Sequence, residues 1–313
     1  MVLNRKNTLE MKAEAKSKWR SQCLSDKVFD LINYALSAVI FAVCFYPLYY
    51  IFVVSFSSQV VGSYLVPNGF TLIGYTSILQ NKSIWLGYAN TLLYTVFSIL
   101  CGLAVTLPCA YALSRKDFLG RGLFMGFILV TMFISGGLIP GYLNVSNLGL
   151  LNTKTVIILS GLTSAYNIIV SRTFFSSTIP QELHEASIID GCGNGRFFAK
   201  IVLPLSKPII AVMALYFGVA RWNSYFTEMI YLRDDSKYPL SLVLRRLLWS
   251  VEALQEMIDK GEIELSAGVT KNIQLSGIMQ YCIIVVSIVP VLIAYPFLQK
   301  YFAKGVMIGS VKG

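Results

Sequence analysis

The sequence predicts an all-helical membrane protein with six transmembrane helices, and three observations predict it. Hydrophobic residues make up 55% of the 313 positions and charged residues only 13%, about half the charged share of a soluble domain. Six apolar runs, 30–55, 86–113, 122–142, 153–175, 208–232 and 276–298, each reach the roughly 20 residues that cross a hydrocarbon core. None of the six alternates polar with apolar as the roughly ten-residue strands of a membrane barrel do.

The first run follows a basic tail, residues 1–27. It is too long for the apolar stretch of a secretory leader and is not followed by a small-residue cleavage site, so it is expected to stay as a span. The tail itself suits a helix facing lipid or a partner protein. The membrane domain is then expected over 28–306, with a short tail at 307–313. Between the fifth and sixth runs lies a long connection, 233–275. Leu240, Leu244, Leu247, Leu248, Val251, Leu254 and Ile258 recur there at helical spacing, with Arg245, Arg246, Glu252, Glu256 and Asp259 between them. That pattern predicts an amphipathic helix, suited to the membrane surface, to a second subunit or to a binding protein.

Charge assigns the sides. Of the 26 lysines and arginines, 17 fall in the N-terminal tail, the 2–3 and 4–5 connections and the C-terminal end; 8 fall on the opposite face, and Arg221 lies within a run. Excess lysine and arginine marks the cytoplasmic side, so both termini and the 4–5 connection are expected inside. The net charge of +10 is thus mostly a topology signal. No basic stripe interleaved with aromatics points to nucleic acid.

Several chemistries find no support. Cys23, Cys44, Cys101, Cys109, Cys192 and Cys282 form no C-x-x-C pair, and most lie in apolar runs, as buried thiols do. One histidine, His184, and no Cys/His cluster give no zinc site. There is no G-x-x-x-x-G-K-[ST] loop for nucleotide. "GCGNG" (191–195) follows a helical pattern rather than a strand, unlike a dinucleotide fingerprint.

The 4–5 connection carries the strongest local pattern. Pro180 suits a helix start, and Glu182 and Glu185 sit near its positive end. Gly191 is a natural C-cap stop. A second short helix is expected from about Arg196 to Val202, closed by Pro204, before Pro208 opens the fifth run. A plain linker would lack this punctuation; a helix–elbow–helix pinned to two spans is a docking element.

"EASIIDGCGNGRFFAKIVLP" (185–204) resembles the EAA segment of permease subunits of bacterial ABC importers. Glu185, Ala186, Asp190, Gly191, Ile201, Leu203 and Pro204 fall on that pattern, and Ser187 stands where the family prefers alanine. "MFISGGLIPGYL" (132–143), "RWNSYFTEMIYL" (221–232) and "YPFLQKYFAKGVMIGSVKG" (295–313) extend the likeness to the carbohydrate-uptake branch, within it to importers of oligosaccharides and polysaccharide fragments. The resemblance implies a type I permease fold in a bacterial plasma membrane. It implies that the EAA segment, 180–207, docks in a groove of a cytoplasmic ABC ATPase dimer, with Glu185 meeting a basic group there. It implies a related second permease subunit, an extracellular sugar-binding lipoprotein, and a sugar as cargo. No cofactor is expected in this chain; ATP and Mg belong to the ATPase. A non-sugar solute is the alternative cargo.

Polar groups inside spans tend to face a cavity or each other. Arg221, Trp222, Asn223, Tyr225 and Phe226 in the fifth run, with Tyr166 and Asn167 in the fourth, offer rings and hydrogen-bonding groups suited to a sugar path; helix-packing glue is the competing role. Arg221 stands apart, since an arginine at that depth costs about 2.5–3.5 kcal/mol on insertion scales and needs water or a partner. It is expected to border the path and to help hold hydroxyls or an anionic group. A secondary transporter would need carboxylates mid-span, where only Glu228 qualifies, and inverted repeats, which are not evident. An intramembrane enzyme would need a catalytic constellation within the bilayer, and the one histidine lies outside it.

Overall fold

A computed structural model of the protein describes residues 23–60, 65–260, 275, 277–293 and 296. Most of the basic N-terminal tail, the second part of the long 5–6 connection and the C-terminal tail lie outside the described residues. The chain divides into two compact units, Met1–Phe70 and Thr71–Gly313.

In the first unit, α1 (Leu24–Ser55) is long and apolar enough to cross a membrane, as the first run predicts. Beyond it the chain doubles back. Ser57 pairs with Phe70 in a single antiparallel bridge, and Phe56 stacks on Phe70 with ring centroids 5.7 Å apart.

The second unit is built on α3 (Lys82–Ser114), 33 residues and about 50 Å long at 1.5 Å per residue. Asn81 caps its start by accepting from the Ser83 N–H at 3.0 Å. Short α2 (Ile73–Gln80) precedes it. α4 (Arg121–Phe133), α5 (Leu138–Asn147), α6 (Lys154–Leu159), α7 (Ala165–Thr178), α8 (Gln181–Ile189), α9 (Asn194–Leu205), α10 (Lys207–Asn223), α11 (Phe226–Tyr231), α12 (Leu240–Asp259) and α13 (Gly277–Ile293) follow. α10, α7, α12 and α6 all pack on α3.

Three of the predicted runs are not single helices. The run 122–142 bends by 114° between α4 and α5, where Gly136 and Gly137 remove any side-chain obstacle and Gly137 takes φ +81°. The run 153–175 breaks at 160–164, with Gly161 at φ +82° amid Ser and Thr, whose hydroxyls compete for backbone groups. The run 208–232 breaks at Ser224–Tyr225. Broken backbone is tolerated at membrane depth only where protein groups or water satisfy it, and the second and third breaks meet at the polar site described below.

At the N-terminal half of α3, a polar clasp holds the chain leading into α12. Asn90 Nδ2 donates to the Ser236 and Tyr238 carbonyls at 2.8 and 3.0 Å, and Tyr94 Oη to that of Lys237 at 2.8 Å. Lys154 Nζ donates to Asn90 Oδ1 at 3.2 Å, and the Leu240 N–H donates to Thr91 Oγ1 at 2.8 Å. The amphipathic helix expected in this connection is α12, whose Leu240, Leu242 and Val243 are buried.

At the other half, Leu107, Ala110 and Leu113 of α3 share one core with Ile168 and Phe175 of α7, Phe197 and Val202 of α9, and Met213 and Phe217 of α10. Gly102 lets α3 and α10 approach: a Cβ there would lie 2.9 Å from the Phe217 ring. Gly102→Val is therefore expected to destabilise the fold by about 1–3 kcal/mol, the usual penalty of overpacking. Thermal unfolding in detergent measures it, and Phe217→Leu should recover part of the loss.

Candidate functional site

The segment 180–207 folds as the sequence predicts up to its elbow. Pro180 stands just before α8, and Glu182 lies in its first turn. Gly191 takes φ +70°, the left-handed conformation that glycine adopts without strain. Its N–H donates to the Ile188 carbonyl at 2.9 Å, and that of Cys192 to the Ser187 carbonyl at 2.8 Å. These two bonds make a Schellman cap. After the elbow the helix does not stop at Pro204. α9 continues to Leu205, through a widened π turn at Phe198–Val202. Such a turn relieves the clash a proline imposes on the preceding turn. The stop is Ser206, where α9 and α10 meet at 83°.

The two faces of α8 differ. Glu185, Ala186 and Asp190 are exposed, together with Leu183, Ile188 and Ile189. Glu185 Oε1 accepts from Gln181 Nε2 at 2.9 Å, one turn back. Ile189 is 87% exposed, an apolar side chain held out at the helix end. Ser187 is buried, and its hydroxyl donates to the His184 carbonyl at 2.7 Å. It lies on the inner face of α8. On α9, Ile201 and Leu203 are half-buried and Pro204 is exposed.

The inner face carries a cluster that motif reading missed. His184 is 5% exposed and sits edge-on to the Phe197 ring, centroids 5.2 Å apart. Arg115, just past the end of α3, reaches His184 Nδ1 through Nη2 at 2.9 Å. It also grips Asp117 with two hydrogen bonds, at 2.9 and 2.8 Å. A guanidinium can only donate, so Nδ1 is the acceptor and Nε2 carries the proton. Nε2 then donates to Asn194 Oδ1 at 3.1 Å. Arg115's hydrogen bonds hold the Asp117 carboxyl below its usual range, and the bond to Asp117 raises Arg115 above its own. One neutral imidazole thus ties the 2–3 connection, α8 and α9 together. The available sequence signal was a lone histidine inside an otherwise motif-like segment; its partner Arg115 is 69 residues away.

The second polar site lies where the chain breaks near α6 and α10. Arg221 Nη1 donates to Glu228 Oε1 at 2.9 Å, and its Nε to Ser98 Oγ at 3.2 Å. Its Nη2 donates to the Ser160 carbonyl, left without a helical partner at the end of α6. Ser224 Oγ donates to Glu228 Oε2 at 2.8 Å. The two side chains are only 9% and 1% exposed. Arg221 needs a partner at that depth, and Glu228 is it. Each of the three guanidinium nitrogens thus donates to a group of this chain, so the charge at that depth is partnered by protein.

The remaining path residues scatter. Asn223 Nδ2 donates to the Val219 carbonyl of its own helix at 3.0 Å. The Tyr225 ring lies 5.5 Å under the Arg245 guanidinium of α12. Trp222 is half-buried and Phe226 half-exposed. Tyr166 and Asn167 stay together on α7, and Tyr166 pairs with Tyr216 of α10, which the sequence did not single out; their ring centroids are 6.2 Å apart.

The model of the family described as binding-protein-dependent transport system inner membrane component matches residues 82–234. The "Polygalacturonan/rhamnogalacturonan transport system permease protein YtcP" of Bacillus subtilis (strain 168) is 36% identical, covering 93% of this chain and 100% of its own length. The "Arabinooligosaccharides transport system permease protein AraQ" of Halalkalibacterium halodurans is 28% identical over 79% of this chain and 81% of its own. A chain from the crystal structure of a bacterial ABC transporter involved in the import of the acidic polysaccharide alginate superposes with TM-score 0.77 at 33% identity, over 90% of this chain and 99% of that one. With an apolar helical scaffold, a matching family model, and a relative 36% identical along its whole length, the chain belongs to the binding-protein-dependent inner membrane components, the permease subunits of ABC importers.

Proposed function

We propose that this chain forms half of the path by which an ATP-driven importer carries a sugar, an oligosaccharide or glycan fragment, into a bacterial cell. It has six spans in the plasma membrane, with both termini and the 180–207 segment in the cytoplasm. It pairs with a related permease subunit, docks on a cytoplasmic ABC ATPase dimer, and receives sugar from an extracellular sugar-binding lipoprotein. It catalyses no reaction of its own, and ATP and Mg are held by the ATPase. The relatives' glycan cargoes support a sugar over other solutes.

One observation carries the coupling role: the segment is two-sided. Its outer face presents Glu185, Ala186, Asp190 and Ile189, while Phe197 and Val202 lie in the same core as α3, α7 and α10. A push on that outer face moves the spans with it, because packed cores shift as units rather than deform. On this reading Gly191 and Pro204 fix the elbow and exit, and Ile201 and Leu203 seat the exit on the bundle.

The test is ATPase activity of the reconstituted importer with loaded binding protein. Glu185→Ala combined with Gly191→Pro is expected to remove the stimulation while the chain still inserts. Proline fixes φ near −65° and cannot adopt the +70° of position 191. Normal stimulation in the double variant, or sugar uptake without ATP hydrolysis, would sink the proposal.

A further inference from the structure

Three clefts lie in series beside α7 and α10. The first, about 710 Å³, is lined by Thr131, Thr163, Ser164 and Tyr166. The second, about 420 Å³, is lined by Ser164, Asn167 and Tyr216. The third, about 220 Å³, ends at Arg221 and Ser224. The first and second share Ser164; the second and third share Gly161, Phe217 and Ala220. Since neighbouring clefts border the same residues, we read the three together as one groove.

Two features set this groove apart from lipid-facing surface. Among apolar residues such as Ile128, Met132, Ile168 and Val219, its lining carries hydroxyls and an amide on helices that run at membrane depth, where exposure to hydrocarbon is costly. Asn167 is 7% exposed, lines the second cleft, and makes no side-chain hydrogen bond among the described residues. An amide acting as packing glue would be bonded to a neighbouring helix. Beside it, Tyr166 and Tyr216 offer two rings inclined at 32°, 52% and 37% exposed. Aromatic faces receive apolar ring faces, and their hydroxyls and the amide receive polar ones. The fixed charges at the groove's end, Arg221 and Glu228, neutralise each other.

Resting on the reading of the chain as half of a sugar path, we infer that this groove is a charge-blind glycan subsite: Tyr166 and Tyr216 take the C–H faces of sugar rings, Asn167 takes hydroxyls, and Arg221–Glu228 braces the wall without touching cargo. Carboxylates of an acidic glycan are not gripped here.

The experiment uses the complete importer in proteoliposomes, with a neutral pentose oligosaccharide and a uronate oligosaccharide as probes. For whichever probe is carried, Tyr216→Ala and Asn167→Ala are expected to raise the KM of uptake about tenfold. Tyr216→Phe, which keeps the ring, should stay within about twofold. If both probes are carried, the fold-changes should match. A KM unmoved by Tyr216→Ala and Asn167→Ala, or a loss confined to the uronate, overturns the subsite. A second readout needs no sugar. With the five cysteines other than buried Cys282 replaced by serine, Ser164→Cys should react with a charged, membrane-impermeant thiol reagent at least ten times faster than Leu92→Cys, an exposed apolar position on α3. Equal, slow reaction overturns the water-lined groove. If wild type carries neither probe while Ser164→Cys reacts fast, the groove stands as a path but the sugar reading fails, and the ligand named here falls with it.

Discussion

Arg221→Ala is expected to lower the unfolding free energy by about 3–5 kcal/mol, the cost of leaving one partner of a buried ion pair alone. Glu228 is fully buried, so without Arg221 its carboxylate keeps, among the described residues, only the Ser224 hydroxyl as a side-chain donor. The Ser160 carbonyl at the break after α6 loses its donor as well. Both losses fall where three elements converge, since Ser98 belongs to α3, Ser160 follows α6, and Glu228 lies on α11. The combined variant Arg221→Met with Glu228→Gln removes both charges and is expected to recover at least half of the loss, because replacing a buried pair by uncharged groups is often close to neutral. Thermal unfolding in detergent, followed by tryptophan fluorescence, checks both. A residue that served cargo alone would behave differently: Arg221→Ala would unfold near the wild-type temperature and change only transport. That outcome would remove the brace.

How much of this was legible in the sequence depends on range. Local signals served well. α1 and α3 follow their apolar runs closely, because an uninterrupted span needs nothing but hydropathy and length. The elbow at Gly191 was readable because a glycine after a helical pattern has one common use. The amphipathic α12 was readable from its leucine spacing. The broken runs were not, because hydropathy averages over a few polar residues: "SGLTS" at 160–164 and "NSY" at 223–225 barely dent the apolar signal, yet each ends a helix. The signal was present in the cluster of Ser, Thr and Gly, and was outweighed by length. Tertiary choices were further out of reach. Arg221 declared its need for a partner, but whether that partner would be water, cargo or protein was settled by the break that swings Glu228 back to it. Ser187 stands at a motif position, and its burial one turn after His184 could not be read from that position.

His184 shows the same limit, and its substitution carries the second large expected effect. On the coupling reading, α8 receives the force and α3 must follow. Beyond the shared core, the polar link between them is the imidazole, with Arg115 on one nitrogen and Asn194 on the other. His184→Ala removes both hydrogen bonds and leaves a gap against Phe197, so α8 can shift without moving the end of α3. The expected result is that ATP hydrolysed per sugar carried rises at least fivefold, while the amount of assembled complex changes little. His184→Gln offers one acceptor and one donor on a more flexible stem, and should restore part of the coupling. His184→Lys offers only donors and places a second cation beside Arg115, so it should be at least as uncoupled as alanine. A merely structural histidine predicts another ordering: the three variants would lose complex in proportion to lost packing, and whatever complex assembled would couple normally. The first ordering would mark His184 as a positioning residue acting through Arg115 and Asn194. Arg115→Gln should reproduce the same uncoupling from the other side of the contact, because it removes the charged donor to Nδ1 while α8 and its Glu185 face stay intact.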